Sequence, residues 1–262
     1  MVRFTLSFAG AGNVAGSLCH KLKSSGHKIE KIVSETEPRG KLLAKECSAK
    51  WSDDLFFPEK TDLLIVAVPD HMLNNVLLKI QCHPETLVVH TAGSYGLEVF
   101  PSTIIRKGVF YPLQTFSPGR EINYTNLPFL LEADSDSSLE LLKTLAETIG
   151  GRSYIIDIEQ RKKIHLAAVF VCNFVNHMLT SGKKLVAGTQ LPFTAFEPLL
   201  SETIKKALIC GPEKSQTGPA IRNDRNTIKK HLDLLSFSPD LIDIYNYITK
   251  SIQEYYKIQT NE

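Results

Sequence analysis

Seven residues near the start of the chain, Gly10-Ala11-Gly12-Asn13-Val14-Ala15-Gly16, restrict the fold more than any others. They follow a short apolar run, Phe4–Ala9, and open a segment of helical period, Ala15–Lys23. Strand, glycine turn and helix in that order begin a βαβ unit, and only there does the spacing G-x-G-x-x-[G/A] carry weight. Gly10 permits the tight turn. Gly12 removes a side chain, so the backbone can approach a pyrophosphate. Ala15, in the third slot, keeps the helix close to the sheet. Asn13 and Val14 bring free amides at the positive end of the helix. A glycine-rich turn without ligand is the plainer reading. A methyltransferase-type loop is another, although such loops follow a strand ending on an acidic residue and Phe8-Ala9 stand here.

The pattern continues to about residue 157. Further strands are expected at Ile29–Ser34, Leu63–Val68, Leu87–His90, Gly108–Tyr111, Phe129–Glu132 and Tyr154–Asp157, with helical segments such as Met72–Ile80 and Ser138–Thr148 between them. This alternation predicts an α/β fold with a doubly wound, mainly parallel Rossmann sheet. After Ile158 the strand signal stops. Helices are expected over Glu159–Val186, Phe193–Ile209 with a break near Pro198, Asp224–Leu235 and Pro239–Tyr256, with a loop at Cys210–Asn223. The stretch Leu166–Val175 is apolar nearly all round and reads as a buried central helix. Residues 1–157 are thus expected to bind a dinucleotide, and residues 158–262 to form an all-α C-terminal domain for substrate and dimer contacts.

Composition removes several other classes. A formal net charge of +2 in 262 residues, with Lys and Arg dispersed, lacks the basic stripe of a nucleic-acid binder, and the one short run, Arg161-Lys162-Lys163, reads as a solvated helix start. Five cysteines, none in a CxxC pair, and eight histidines without ligand spacing argue against a disulfide framework or a metal site and favour a reducing compartment. The apolar start runs straight into the glycine loop and reads as a strand, not a leader. The longest apolar run, Leu166–Cys172, is far short of the ~20 residues that span a bilayer, so no membrane partner is expected and the protein is placed in the cytoplasm.

Ligands of open α/β sheets lie beyond the carboxyl ends of the strands. Ala67-Val68-Pro69 is expected beside the adenosine half of the dinucleotide and Thr91-Ala92-Gly93 near the nicotinamide. Pro112–Phe116 would form the far wall, with Gln114 toward the substrate. Two readings of the second strand end coexist. Glu35, 20 residues after Ala15, suits the ribose 2′-hydroxyl of NAD, while Ser34, Thr36 and Arg39 suit the 2′-phosphate of NADP.

With these pieces placed, the chain resembles the short-subunit dehydrogenase-like oxidoreductases, which join a Rossmann-like domain to a helical domain of unknown function. Their wider relatives, of 6-phosphogluconate-dehydrogenase-like architecture, include pyrroline-5-carboxylate reductase, ketopantoate reductase and the deazaflavin-linked NADP reductases. The most specific segments are His90–Ser94, Pro112–Phe116, His165–Phe174 and Thr217–Asp224. The resemblance implies NADP more often than NAD, and a homodimer through the helical domain. Several wider relatives place a proton-handling lysine early in the first long helix. Here His165 stands in that kind of place, with Asn173 two turns on and Val169 in the turn between.

Histidine suits the proton step because its ordinary pKa, about 6.5, lies near working pH. On a regular helix His165 and Asn173 would lie only ~80° apart and line one groove. His90 is a second candidate at a strand end. In the polar loop, Thr217, Arg222 and Asp224 are candidates for closing a substrate site, with Arg222 suited to a carboxylate. A capped helix with an ion pair is the plainer reading of that loop. The function expected is hydride transfer between a nicotinamide cofactor and a small carbonyl, imine or alcohol. The alternative is a non-catalytic nucleotide sensor.

Overall fold

A computed structural model describes residues 2–258. Its contacts divide the chain into two compact units, residues 1–174 and 175–262. In the first unit an eight-stranded sheet has the order β10-β9-β8-β7-β5-β1-β2-β3. The strands are β1 (Thr5–Ala9), β2 (Lys28–Val33), β3 (Lys50–Ser52), β5 (Leu63–Val66), β7 (Leu87–His90), β8 (Lys107–Pro112), β9 (Pro128–Ala133) and β10 (Arg152–Ile155). Only β8 and β9 pair antiparallel. Two short strands, β4 (Phe56–Phe57) and β6 (Gln81–Cys82), pair separately. All seven expected strands are present, and the expected α/β class holds. The short strands β3, β4 and β6 carry too few residues for a periodic signal.

Alternation of side chains across each strand builds a core on both faces. In β5, Leu63 and Ile65 join one buried cluster with α1 (Asn13–Ser24), α2 (Glu37–Cys47) and α4 (Asp136–Thr148). Leu64 and Val66 join the other, with Leu73 and Leu77 of α3 (Asp70–Lys79). All four residues of β5 are at most 1% exposed, so its sequence is a continuous apolar run, as strands covered on both faces require.

The helical part begins with α5 (Ile158–Ala168), continues as a π-helical segment (Val169–Phe174) and then as α6 (Val175–Leu185). Packing therefore places α5 with the sheet. The interior expected for Leu166–Val175 is not found: Leu166, Phe170 and Val171 are 58%, 58% and 74% exposed. An all-round apolar sequence demands cover, and these side chains lack it within this chain. The helix Ile158–Leu185, 28 residues long with an 18-residue stretch of mean hydropathy 1.3, is also long and apolar enough to cross a membrane by length and composition, unlike the short run seen in the sequence.

The second unit also holds α7 (Glu197–Cys210), α8 (Pro212–Ser215), α9 (Arg225–Leu234) and α10 (Pro239–Ile258). Pro198 does not interrupt a helix. It sits in the first turn of α7, where a missing N–H costs nothing, after a separate 3₁₀ turn at Phe193–Phe196. Within this unit the Tyr256 hydroxyl donates to the Glu213 carbonyl at 2.6 Å and His231 pairs with Tyr245 at 2.8 Å.

Candidate functional site

The first wall of the cleft is backbone. Gly10 takes φ +115°, and its N–H donates to the Val33 carbonyl at 2.7 Å. A Cβ at residue 10 would lie 2.2 Å from the Ala67 carbonyl oxygen, so strand β5 is close only because residue 10 is glycine. At Gly12 the reverse holds: a Cβ there would meet nothing within 4 Å. Gly12 precedes α1, whose first amides have no side-chain cap and no acidic residue nearby. Open space and unpaired amides at a helix start are what an anionic pyrophosphate needs. Ala15 is fully buried, as its slot demands. Val14 packs toward the core.

From this loop runs a cleft of about 580 Å³, lined by Gly10, Gly12, Ser34, Glu35, Thr36, Arg39, Ala67, Val68 and Pro69, all expected from the sequence. Asp53, Leu55, Met72, Asn75, Val76 and Lys79 also line it and were not foreseen. They come from a short loop and from α3, where no local motif marks them. The Arg39 guanidinium donates to Asn13 Oδ1 at 3.2 Å, and Asn13 Nδ2 donates to the Phe116 carbonyl at 3.2 Å. Asn13 thus ties the cationic rim to the far wall. Gly40 lacks the Cβ that would lie 2.0 Å from Ser34 Oγ, which lets α2 sit against the Ser34 turn.

Beyond the residues that line this cavity, past β7, Thr91 is half-buried and Ala92 and Gly93 are buried. The two histidines proposed for this part differ sharply. His90 is fully buried. Its Nδ1 accepts from the Ala92 N–H at 3.2 Å, its Nε2 donates to the Gly96 carbonyl at 3.3 Å, and its ring stacks on Phe100. Burial holds its pKa down at about 4. The structure corrects the catalytic expectation for His90: both nitrogens are occupied in shaping the loop. His165 is half-buried and packs directly on Gly93, where a Cβ would lie 2.7 Å from Nδ1. The Tyr111 hydroxyl stands 2.9 Å from the same nitrogen.

One turn before His165, Arg161 is fully buried. It donates to Glu132 at 2.8 Å, to the Tyr95 carbonyl at 2.6 Å and to the Ile156 carbonyl at 3.2 Å. Burying a guanidinium is tolerable because a carboxylate and two carbonyls receive it. Sequence reasoning missed both Tyr111 and Arg161. Tyr111 read as one more strand residue, and Arg161 as part of a solvated run with Lys162 and Lys163. The detectable signal was alternation, which puts Val109 and Tyr111 on the sheet face opposite Phe110.

Other expected residues lie elsewhere. Asn173 is exposed and falls inside the π segment, so the ~80° relation calculated for a regular helix does not apply to it. Gln114 is exposed, and its side-chain carbonyl accepts from the Thr115 N–H at 2.8 Å. Thr217, Arg222 and Asp224 belong to the second unit. There Asp224 caps α9, accepting from the Thr227 N–H at 3.0 Å and its hydroxyl at 2.7 Å, while Arg222 and Thr217 are exposed. The plainer reading of that loop was a cap with an ion pair: the cap is found, and among the described residues Arg222 and Asp224 form no ion pair within 4.0 Å.

Comparison with known proteins agrees with this geometry. Residues 5–93 match the family described as NADP oxidoreductase, coenzyme F420-dependent. Residues 127–252 match a domain of unknown function, DUF2520. Among solved structures, a Bacteroides fragilis protein provisionally assigned as an NADP oxidoreductase is 37% identical, with a TM-score of 0.87, over 96% of this chain and 98% of its own. The 1-pyrroline-5-carboxylate reductase of Streptococcus pyogenes shares the fold, with a TM-score of 0.62 at 13% identity over 96% and 99% of the two chains. A curated relative, the glucose-fructose oxidoreductase domain-containing protein 2 of Xenopus laevis, is 24% identical over 39% of this chain, and the chain spans about a quarter (27%) of that protein's length. Matching over nearly the full length of both chains, with the glycine loop intact, this chain belongs to the same NADP oxidoreductase family as its Bacteroides fragilis relative, an oxidoreductase domain joined to DUF2520.

Proposed function

We propose that the chain binds NADP(H) in the glycine-loop cleft and transfers hydride between it and a small carbonyl, imine or alcohol, with His165 handling the proton. The observation that carries this reading is the cleft itself: a pyrophosphate cradle open at Gly12 and a polar rim of Ser34, Thr36 and Arg39. The cofactor, when bound, supplies or accepts the hydride. Gly10, Gly12 and the first amides of α1 hold the pyrophosphate, and Arg39 with the two hydroxyl side chains holds the 2′-phosphate. Thr91, Ala92 and Gly93 form the edge beside the nicotinamide. His165, packed on Gly93, gives the substrate its proton in the reductive direction. Titration with NADPH and NADH tests the reading. NADPH is expected to bind ~10-fold or more tighter, about 1.4 kcal/mol, and Arg39→Ala to narrow the gap. Equal affinities, or tighter NADH, would assign the choice to Glu35.

The same reading includes a homodimer through the helical part. Leu166, Phe170, Val171 and Phe174, and in the second unit Leu199, Leu208 and Ile209, are exposed. Apolar side chains in such number mark an interface, and two-fold pairing is the commonest way to cover one. Light scattering should give twice 29.2 kDa. A monomer that partitions into lipid vesicles would assign the long apolar helix to a bilayer instead.

A further inference from the structure

His165 is held from two sides. The Tyr111 hydroxyl lies 2.9 Å from Nδ1, and the two rings meet edge to face with centroids 6.0 Å apart. Residue 93 has no side chain, and the imidazole fills the place a Cβ would take. Nε2 bonds to none of the described residues. The meeting follows from register. Val109 of β8 pairs with Glu132 of β9, and Glu132 receives Arg161 of α5. From that fixed point Tyr111 is two residues along the strand, ~6.6 Å, and His165 is one turn along the helix, ~6 Å. The two advances match, so the two side chains arrive together.

We propose that Tyr111 is a positioning residue for His165: its O–H donates to Nδ1 and so confines the proton of the neutral imidazole to Nε2, the nitrogen left for the substrate. The inference rests on the reading of His165 as the proton-handling group. A phenolic O–H, with an ordinary pKa of about 10, is a far stronger donor than a neutral imidazole N–H, and the bare imidazole nitrogen is the stronger acceptor. The pair therefore settles with the tyrosine donating. Burial raises the pKa of Tyr111, which keeps the phenol protonated through the neutral range. A ring fixed in this tautomer offers a hydrogen-bond donor. It suits a carbonyl oxygen or the lone pair of a neutral imine, and it mismatches an ammonium group. Gly93 is the second half of the device, because any side chain there would move the ring away from the hydroxyl.

The tautomer is directly observable. In ¹⁵N-imidazole NMR of the full-length protein at pH 8, His165 is assigned by the resonance that His165→Gln removes. The expected result is a single tautomer protonated at Nε2. Tyr111→Phe, which keeps the ring packing and removes one oxygen, is expected to give a mixture of both tautomers. Gly93→Ala, which keeps the hydroxyl and displaces the ring, is expected to do the same, so the idea is testable even if one variant folds poorly. Protonation at Nδ1 in the wild type, or a tautomer unchanged in both variants, would overturn the proposal. Full turnover by His165→Gln would instead overturn the proton-step reading, and the NMR result is independent of it.

Discussion

The two parts of the proposed site are built from different materials. The glycine-loop part is backbone: glycines at 10 and 12 and the first amides of α1, all within one short loop. The Gly93 part is side chains delivered by elements far apart in the chain, Tyr111 from β8 and His165 from α5, 54 residues later. A site made of backbone has a local signature, because only glycine tolerates its turns and close approaches. A site made of side chains depends on register between elements, and a list of residues does not contain that register.

Substitutions can separate these two modes. The largest effect is expected at the backbone end. Gly12→Asp should fold normally, because a side chain there meets no protein atom, yet a carboxylate against the pyrophosphate should weaken NADPH binding by ~100-fold or more. Gly10→Ala should do the opposite, lowering stability by roughly 1–3 kcal/mol through its positive φ and its clash with the Ala67 carbonyl. Calorimetric melting and fluorescence titration of the two proteins read both quantities. If Gly12→Asp melts early, or keeps its affinity, the cradle is not where it has been placed.

At the side-chain end the histidines should part. His90 is held at about 4, against an ordinary 6.5, by burial. Its folded-state pKa is depressed, so the unfolded chain binds more protons between those values. The stability it contributes is complete above pH 6.5 and is lost as pH falls toward 4, about 3 kcal/mol in all. Urea unfolding should show the wild type's advantage over His90→Gln shrinking by that amount across the window. A constant difference would mean that His90 is not buried and neutral. His165→Gln should leave melting and NADPH affinity nearly unchanged and lower kcat by ~10²-fold, about 2.7 kcal/mol, once a substrate is in hand. If the two variants exchange behaviour, the roles assigned to the two histidines are reversed.

The sheet and the glycine loop could be read in the sequence because their signals are local: short apolar runs between helical segments, and glycines at fixed spacing. Ser34, Thr36 and Arg39 followed by analogy with the strand end that follows the loop. His165 was singled out by its place early in the first long helix, but the residues that hold it were not. Tyr111 looks like any aromatic strand residue, and only the pairing of β8 with β9 shows which way it points. Arg161 was hidden by its neighbours. A basic triplet reads as a wet surface, and nothing in Arg161-Lys162-Lys163 says that the first member is buried against Glu132 while the next two face water. For Asn173 the calculation assumed a regular helix, and a π segment intervenes.

The anchoring of α5 also bears on how this chain can be cut or recombined. A chimera joined at residue 157, where the strands stop, would carry Arg161 and His165 away with the graft. It would leave Glu132 and the Tyr95 carbonyl facing whatever residue the new helix happened to bring. A junction after residue 174 keeps that ion pair and the Tyr111–His165 contact inside one inherited block. The transferable module is thus the sheet with its flanking helices, α5 and the π segment, residues 1–174, about a tenth longer than a strand-based boundary at 157 would suggest.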